Sequence, residues 1–247
     1  MSNKFIIFLI ATFVSAANAS IRKPAKLKYQ TFFGNCPSRV AGTLTITLLK
    51  EFEKTRSLKK VKEKIVAERL VQKHFLSDYN VKYNPGKKKL TFSYECPRPL
   101  MKVHIYKENG EESYSAILVE SGKLFDPTYE VLLRHEKKLA YELPSLALPV
   151  GELNGDLKKE LSTLFGSLKS DFRQKLSEII IGEENELTLI LSVNGRPSSA
   201  FLGSLEWEQK LRKLERVVGY MQKKKKIPSI INLTNSKKVV VKFSDKF

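Results

Sequence analysis

The region from Leu187 to the last strand constrains the fold more than any other part of the chain. Leu187, Leu189, Leu191 and Val193 alternate with Thr188, Ile190 and Ser192, the period-2 pattern of a strand with one buried face. Apolar residues then recur at spacings of four and three, which predicts one buried stripe along a helix: Trp207, Leu211, Leu214, Val218 and Met221. Two short apolar runs, Ile230–Leu233 and Val239–Phe243, flank a turn at 235–236. Strand, helix and closing hairpin predict an α+β fold.

The closing strand is the first candidate for function. Little sequence follows Val239–Phe243, so we expect its outer edge to stay uncovered. An uncovered edge offers free N–H and C=O groups onto which another protein can add a strand. On this hypothesis Val239, Val241 and Phe243 select the partner on one face. The alternative is an ordinary edge strand that flanking lysines keep soluble: Lys237, Lys238 and Lys242.

Residues 1–19 have the pattern of a signal peptide. Lys4 gives the positive start, Phe5–Val14 the apolar run and Ala17-Asn18-Ala19 the small-residue cleavage site. The alternative is a short membrane anchor, but a spanning helix needs about 20 apolar residues, and polar Ser15 ends the run early. We therefore expect localisation in the periplasm or cell envelope, at the outer face of the inner membrane.

The charge is strongly basic. The chain carries 44 Lys and Arg against 26 Asp and Glu, a net charge of +18. In the cytoplasm this charge would make nucleic acid the first candidate partner, but export argues against it. We expect instead a weak contact with an anionic membrane surface or with the cell wall. The alternative is plain solvation, because Lys87–Lys89 and Lys223–Lys226 fall at predicted turns.

No residue pattern predicts catalysis. Cys36 and Cys96 have no neighbouring cysteine at metal-ligand spacing, and His74, His104 and His135 are isolated from one another. Gly-x-Ser-x-Gly and phosphate-binding loops are absent from the sequence. We predict no metal, no cofactor and no enzymatic activity. In an oxidising compartment the two cysteines favour a disulfide, and the alternative is two separate buried thiols.

The first half of the chain is predicted to run strand, helix, helix, hairpin, over residues 26–33, 39–54, 58–70, 80–83 and 90–96. Ser57 is the predicted N-cap of the second helix, and Pro97 and Pro99 close the unit. The second half is predicted to contain strands at 103–106, 114–119, 179–181 and 187–193, with helices at 156–176 and 207–221.

Several local motifs share one order along the chain: Tyr29–Asn35, Leu90–Pro99, Ile117–Phe125 with Leu143-Pro144, Val193–Gly195 with Leu202-Gly203 and Trp207–Leu211, and Ile231–Thr234 with Val239–Lys242. In this order they resemble the extracytoplasmic part of the FtsQ/DivIB cell-division family. The resemblance implies a POTRA domain (β-α-α-β-β) at 26–104, followed by an FtsQ-type β domain at 105–247, which is β-rich with two helices. In POTRA folds the first and third strands are parallel neighbours, so the resemblance also implies a disulfide between Cys36 and Cys96.

The resemblance implies a non-enzymatic periplasmic scaffold of the divisome. Its partners would be small coiled-coil division proteins of the FtsB/FtsL type, bound by strand addition at the C-terminal edge. The predicted partner-binding residues are Asn232, Leu233, Thr234, Val239, Val240, Val241, Lys242 and Phe243.

The alternative function is a POTRA-type envelope protein that binds outer-membrane or secreted client polypeptides. Its binding strand would be the sheet edge at Val81–Tyr83. Proline cannot donate to a backbone ladder, so Val240→Pro would block the first edge and Val81→Pro the second.

Overall fold

A computed structural model describes residues 27–106, 109, 112–148, 153–182 and 184–243. Within these ranges the chain forms seven helices and two sheets, so the predicted α+β class is confirmed. The predicted signal peptide at 1–19 lies outside the described residues. None of the described helices has both the length and the apolar character that a bilayer span requires.

The first unit is a three-stranded sheet with its helices. In chain order its elements are β1 (Lys28–Phe32), α1 (Ser38–Thr55), α2 (Leu58–Ala67), α3 (Leu70–Lys73), β2 (Asp78–Asn84) and β3 (Lys89–Glu95). The sheet order is β1-β3-β2, with β1 parallel to β3 and β2 antiparallel to it. The predicted order of elements is observed with one addition, the short helix α3, and the pairing of β1 with β3 is parallel, as the resemblance implies.

Local chemistry explains the helices of this unit. α1 forms through the β-branched run at 43–47 because its apolar residues share one face, which is buried at Ala41, Leu44, Leu48 and Phe52. α2 begins after Ser57, whose hydroxyl accepts a hydrogen bond from the Lys60 N–H at 3.4 Å. The helix predicted to reach Leu70 is interrupted by Arg69, which has a left-handed φ of 51°, and Leu70 starts α3 instead.

The second unit is a nine-stranded sheet in the order β12-β11-β10-β9-β8-β7-β4-β5-β6. Its strands are β4 (Pro99–Tyr106), β5 (Glu112–Val119), β6 (Leu124–Phe125), β7 (Ser145–Ala147), β8 (Leu176–Ile181), β9 (Leu187–Val193), β10 (Arg196–Gly203), β11 (Ile230–Asn232) and β12 (Val240–Lys242). Because β4 belongs wholly to this sheet, the sheets separate at residues 96–98, ahead of the predicted domain boundary at 104 and 105.

The prediction of two helices in the second unit was wrong. The described part of this unit contains four: α4 (Thr128–His135), α5 (Gly155–Gly166), α6 (Ser170–Arg173) and α7 (Trp207–Lys223). α4 is only eight residues long and has no side-chain cap, so it gives a weak periodic signal. The predicted helix at 156–176 is α5 followed by α6, because Lys169 has extended backbone, and Leu176 starts β8.

Two clusters of buried side chains stabilise the fold. The main core lies between the nine-stranded sheet and the helices α5 and α7, and includes Phe165, Leu189 and Leu214. The core of the first unit extends into the second through Ile117 and Val119 of β5 and through α4. Since successive side chains of a strand point to opposite faces, β5 borders both cores. The main core supports the nine-stranded sheet, and the predicted site lies at the β12 edge of this sheet.

Candidate functional site

The predicted closing strand lies at an edge of the second sheet. β12 pairs with β11, and the described residues place no strand on its other side. The ordered strand covers Val240–Lys242, which is shorter than the predicted 239–243. An edge of this kind is the backbone template that strand addition requires.

The register decides which backbone groups of β12 face outward. On the side of β11 that pairs with β10, Ser199 N–H donates to Ser229 C=O at 2.9 Å and Leu233 N–H donates to Phe201 C=O at 2.8 Å. The alternate residues of β11, Ile230 and Asn232, therefore face β12. They pair with Lys242 and Val240, so Val241 between them directs its N–H and C=O away from the sheet.

This orientation corrects the proline test expected from the sequence. Val240 pairs with Asn232, so Val240→Pro would remove a hydrogen bond inside the protein. Val241→Pro would instead remove the N–H that a partner strand could use. The substitution that tests partner binding therefore belongs at Val241.

The side chains of the closing strand divide between core and surface. Val239 and Val241 pack against the main core and are half-buried. Val240 is 62% exposed, Phe243 is 41% exposed and Lys242 is exposed. Of the three side chains predicted to select a partner, Val239 and Val241 are thus partly used by the chain's own core. The outward face carries Val240 and Lys242.

Three predicted site residues, beginning at the last residue of β11, shape the hairpin. The Oδ1 atom of Asn232 accepts hydrogen bonds from the Thr234 N–H at 2.9 Å and from the Thr234 hydroxyl at 2.7 Å. Leu233 has no exposed surface and belongs to the main core. Leu233 therefore cannot contact a partner with its side chain, because the main core encloses it.

Contacts at both ends tether the closing hairpin. The Lys213 ammonium group, on α7, donates to the Ser236 carbonyl at 2.8 Å, which fixes the turn. The N–H and the hydroxyl of Ser229 donate to the Lys242 carbonyl at 2.9 and 3.1 Å, which fixes the other end. The edge strand is thus held in place before any partner arrives.

An exposed aromatic ring, Phe201, lies two strands away from the closing strand and was not predicted from the sequence. Phe201 on β10 is 38% exposed, and the registers place it in one row with Asn232 and Val240. Ala200 and Leu202 on either side are fully buried. The alternation along β10 is the signal that could have assigned Phe201 to the outward face.

The rim of this edge is basic. Lys237, Lys238 and Lys242 are exposed, and none forms an ion pair with a residue that the structure describes. Unpaired lysines fit an acidic partner, and they also discourage pairing between copies of the same edge.

The predicted disulfide between Cys36 and Cys96 is confirmed, with the two Cα atoms 4.9 Å apart. The cysteines follow the ends of the parallel strands β1 and β3. Asn35 strengthens the junction, because its Oδ1 accepts the Cys96 N–H at 2.8 Å and its amide nitrogen donates to the Cys96 carbonyl. The bond ties the end of the first unit to the start of α1.

The edge of the alternative hypothesis is also present. β2 pairs with β3, and in the described ranges no strand lies on its outer side. Lys28 N–H donates to Lys88 C=O at 2.9 Å, so the even-numbered residues of β3 face β1 and the odd-numbered ones face β2. Val81 is in register with Phe92, and its N–H and C=O consequently face outward. Val81→Pro is therefore a sound test of this edge.

The prediction that the protein holds no metal concerns groups of ionisable side chains in the described ranges. There, no three His, Cys, Asp or Glu side chains gather in a group that could hold a metal ion. The absence of enzymatic activity stays a prediction.

Comparison with known proteins gives a partial likeness among solved structures. No protein-family profile matches the chain, and no curated protein matches it. Among solved structures, the chain is similar to the major extracytoplasmic domain of the trans isomer of the bacterial cell division protein DivIB from Geobacillus stearothermophilus. The identity is 18% and the TM-score 0.31, and the match covers 53% of this chain and 97% of the DivIB domain.

Proposed function

We propose that this protein is a non-enzymatic scaffold of bacterial cell division in the cell envelope, which holds partner division proteins by strand addition at β12. The observation that carries the proposal is the outward N–H and C=O of Val241 on a tethered edge strand. The order of sequence motifs, which resembles the FtsQ/DivIB family, directs the proposal to cell division. The expected partners are small coiled-coil proteins of the FtsB/FtsL type.

Both backbone and side chains must contribute to such binding. A net hydrogen bond is worth about 0.5–1.5 kcal/mol, so a three-residue strand cannot give tight binding from its ladder alone. The exposed apolar surface of Val240, Phe243 and Phe201 supplies the remainder. We expect the partner strand to carry apolar residues at alternate positions, because successive side chains on the new strand would face opposite sides of the sheet.

The proposal is tested by Val241→Pro with Val241→Thr as the matched control. Proline removes the outward N–H, and edge strands tolerate proline where the N–H faces solvent. Threonine keeps the N–H and nearly the shape of valine. We expect Val241→Pro to weaken capture of the partner's extracytoplasmic segment at least tenfold in a surface-binding assay, while Val241→Thr changes it by less than about threefold.

Circular dichroism must show both variants folded. Unchanged capture by a folded Val241→Pro variant would contradict strand addition at β12.

A second candidate function is supported by the length of β2. This edge spans seven residues against three for β12, and so offers a longer ladder to an extended client polypeptide. A POTRA-type envelope protein that binds outer-membrane or secreted clients would use it. Under this function Val81→Pro abolishes client capture and Val241→Pro leaves it unchanged, which is the reverse of the result expected for the first function.

A further inference from the structure

The opposite edge of the nine-stranded sheet borders a groove that neither candidate function uses. The groove has a volume of about 810 Å³ and lies between β6 and the segment from α3 to Leu76. We call it the β6 groove. Its apolar floor is formed by Phe75, Leu124 and Phe125, and charged side chains stand around it. We infer that the β6 groove binds an acidic, extended polypeptide segment, which adds to the sheet at Leu124.

The backbone of β6 is oriented for strand addition. Val119 N–H donates to Lys123 C=O at 3.1 Å, so Val119 and Lys123 form a hydrogen-bonded pair. Hydrogen-bonded and non-hydrogen-bonded pairs alternate in an antiparallel ladder. Leu124, which is opposite Leu118, therefore directs its N–H and C=O away from β5. No strand among the described residues covers that side.

Two residues of the floor, Phe75 and Phe125, belong to an aromatic cluster with Tyr129. The Phe75 ring lies 5.6 Å from the Phe125 ring and 4.9 Å from the Tyr129 ring, measured between centroids. Phe75 has a φ of +55°, a conformation that costs a bulky residue free energy and persists only when its surroundings hold it. Phe75, Leu124 and Phe125 are only half-buried, so they leave apolar surface for the side chains of a bound strand.

The charges select an acidic segment. Lys73, Lys123 and Lys158 line the groove, and none of them is in an ion pair with a described residue. Among the described residues that line the groove, Asp126 alone is acidic, and its Oδ1 already accepts the Thr128 N–H at 2.8 Å. Three lysines without a described ion-pair partner, beside an apolar floor and an open backbone edge, fit carboxylates that alternate with apolar side chains. A lipid head group would use the cations but not the edge of Leu124.

The test uses a fluorescein-labelled peptide of seven residues, Glu-Val-Glu-Val-Glu-Val-Glu, and fluorescence anisotropy with the full chain. The double variant Lys73→Glu/Lys123→Glu is compared with Lys59→Glu/Lys87→Glu, which changes the net charge equally at exposed positions outside the groove. We expect the first pair to weaken peptide binding at least tenfold and the control pair less than threefold. Leu124→Pro should weaken it at least tenfold, and Leu124→Val, which keeps the N–H, should not.

Three other outcomes would contradict the inference. Equal losses in the two double variants would mean attraction to net charge alone. Normal binding by a folded Leu124→Pro variant would mean an anion patch without strand addition. Binding of phosphatidylglycerol vesicles with the same variant dependence, and no peptide binding, would assign the groove to a membrane surface. Because β6 and β12 are opposite edges, Val241→Pro should leave peptide binding unchanged, so this inference and the proposed function fail separately.

Discussion

Glu136 of the second unit connects the two units by capping α1 of the first unit. The N-cap of α1 is Pro37, which provides no side-chain cap, and the first turn of the helix contains no acidic residue. Glu136 provides the missing cap, because its carboxylate accepts the Ser38 N–H at 2.6 Å and the Arg39 N–H at 3.1 Å. Lys138 assists by contacting both Glu136 and the Cys36 carbonyl. The helix N-terminus is thus satisfied by a residue far away in the sequence.

Glu136→Gln should therefore destabilise the protein in a pH-dependent way. Burial alone raises the pKa of Glu136, but the N–H groups of Ser38 and Arg39 and the charge of Lys138 lower the pKa below its usual value of 4.5. A lowered folded-state pKa means that the stabilisation is present above pH 4.5 and is lost as the pH falls through the folded-state pKa. We expect the variant to lose about 1 kcal/mol of unfolding free energy at pH 7.

Urea denaturation at pH 7 and at successive acid steps measures this difference. The difference between wild type and Glu136→Gln should shrink as the pH falls below 4.5. Glu142→Gln, at an exposed glutamate, is the matched control and should not change the unfolding free energy at either end of the series. A constant difference at all pH values would contradict a role for the carboxylate charge.

At the scale of elements, the disulfide constrains the first unit. It closes a loop of 60 residues that contains α1, α2, α3, β2 and β3. Restricting the unfolded chain in this way is worth roughly 4 kcal/mol on the chain-entropy model. We expect reduction with dithiothreitol to lower the unfolding free energy of the wild type by about this amount, as measured by urea denaturation.

The double variant Cys36→Ser/Cys96→Ser is the control for reduction. It should be about as unstable as the reduced wild type and should not respond to dithiothreitol. An equal response of the variant and the wild type would show that the reductant acts elsewhere.

Several helices and strands can be predicted from the sequence, because the spacing of apolar residues within each segment determines them. The alternation in β9 and the four-and-three spacing in α7 are examples, and both elements are observed close to their predicted bounds. The outward orientation of Val241 depends on which residues of β11 already bond to β10, so no local pattern contains it. The sequence does not predict the burial of Leu233, a predicted partner-binding residue, because a short apolar run does not reveal which of its faces is buried.

The packing of α4 and the cap formed by Glu136 could not be predicted from the sequence, because both depend on contacts between distant segments. α4 buries Tyr129 and Leu133 in the core of the first unit, and only the packed fold reveals this partner surface. Glu136 caps a helix that begins 98 residues earlier in the chain. Such pairs carry no periodic signal, because each residue is ordinary within its own segment.

At the scale of the whole molecule, the two units share contacts that couple their folding. The core of the first unit includes Ile117, Tyr129 and Leu133 from the second. The Tyr129 hydroxyl donates to the carbonyl of Pro97, which lies in the short segment between the two sheets. The Phe75 ring reaches from the first unit to Phe125 and Tyr129. We therefore expect the units to unfold together.

Cooperative unfolding can be measured with one probe in each unit. Trp207, the single tryptophan of the chain, reports on the second unit by fluorescence, and hydrogen exchange at Leu90–Tyr94 reports on the first. In the wild type we expect both probes to give one urea midpoint, because the shared core must open for either unit to unfold. Two separate midpoints in the wild type would contradict the coupling.

Phe75→Ala should uncouple the two probes. Removing this half-buried ring is expected to cost about 2 kcal/mol, less than the 3–5 kcal/mol of a fully buried phenylalanine, and to open the contact between the units. The midpoint at Leu90–Tyr94 should then fall below that of Trp207 fluorescence. Phe32→Ala is the matched control, because Phe32 on β1 is 50% exposed and belongs to neither core, so its two midpoints should stay together. Coincident midpoints in Phe75→Ala would mean that the shared aliphatic core alone joins the units.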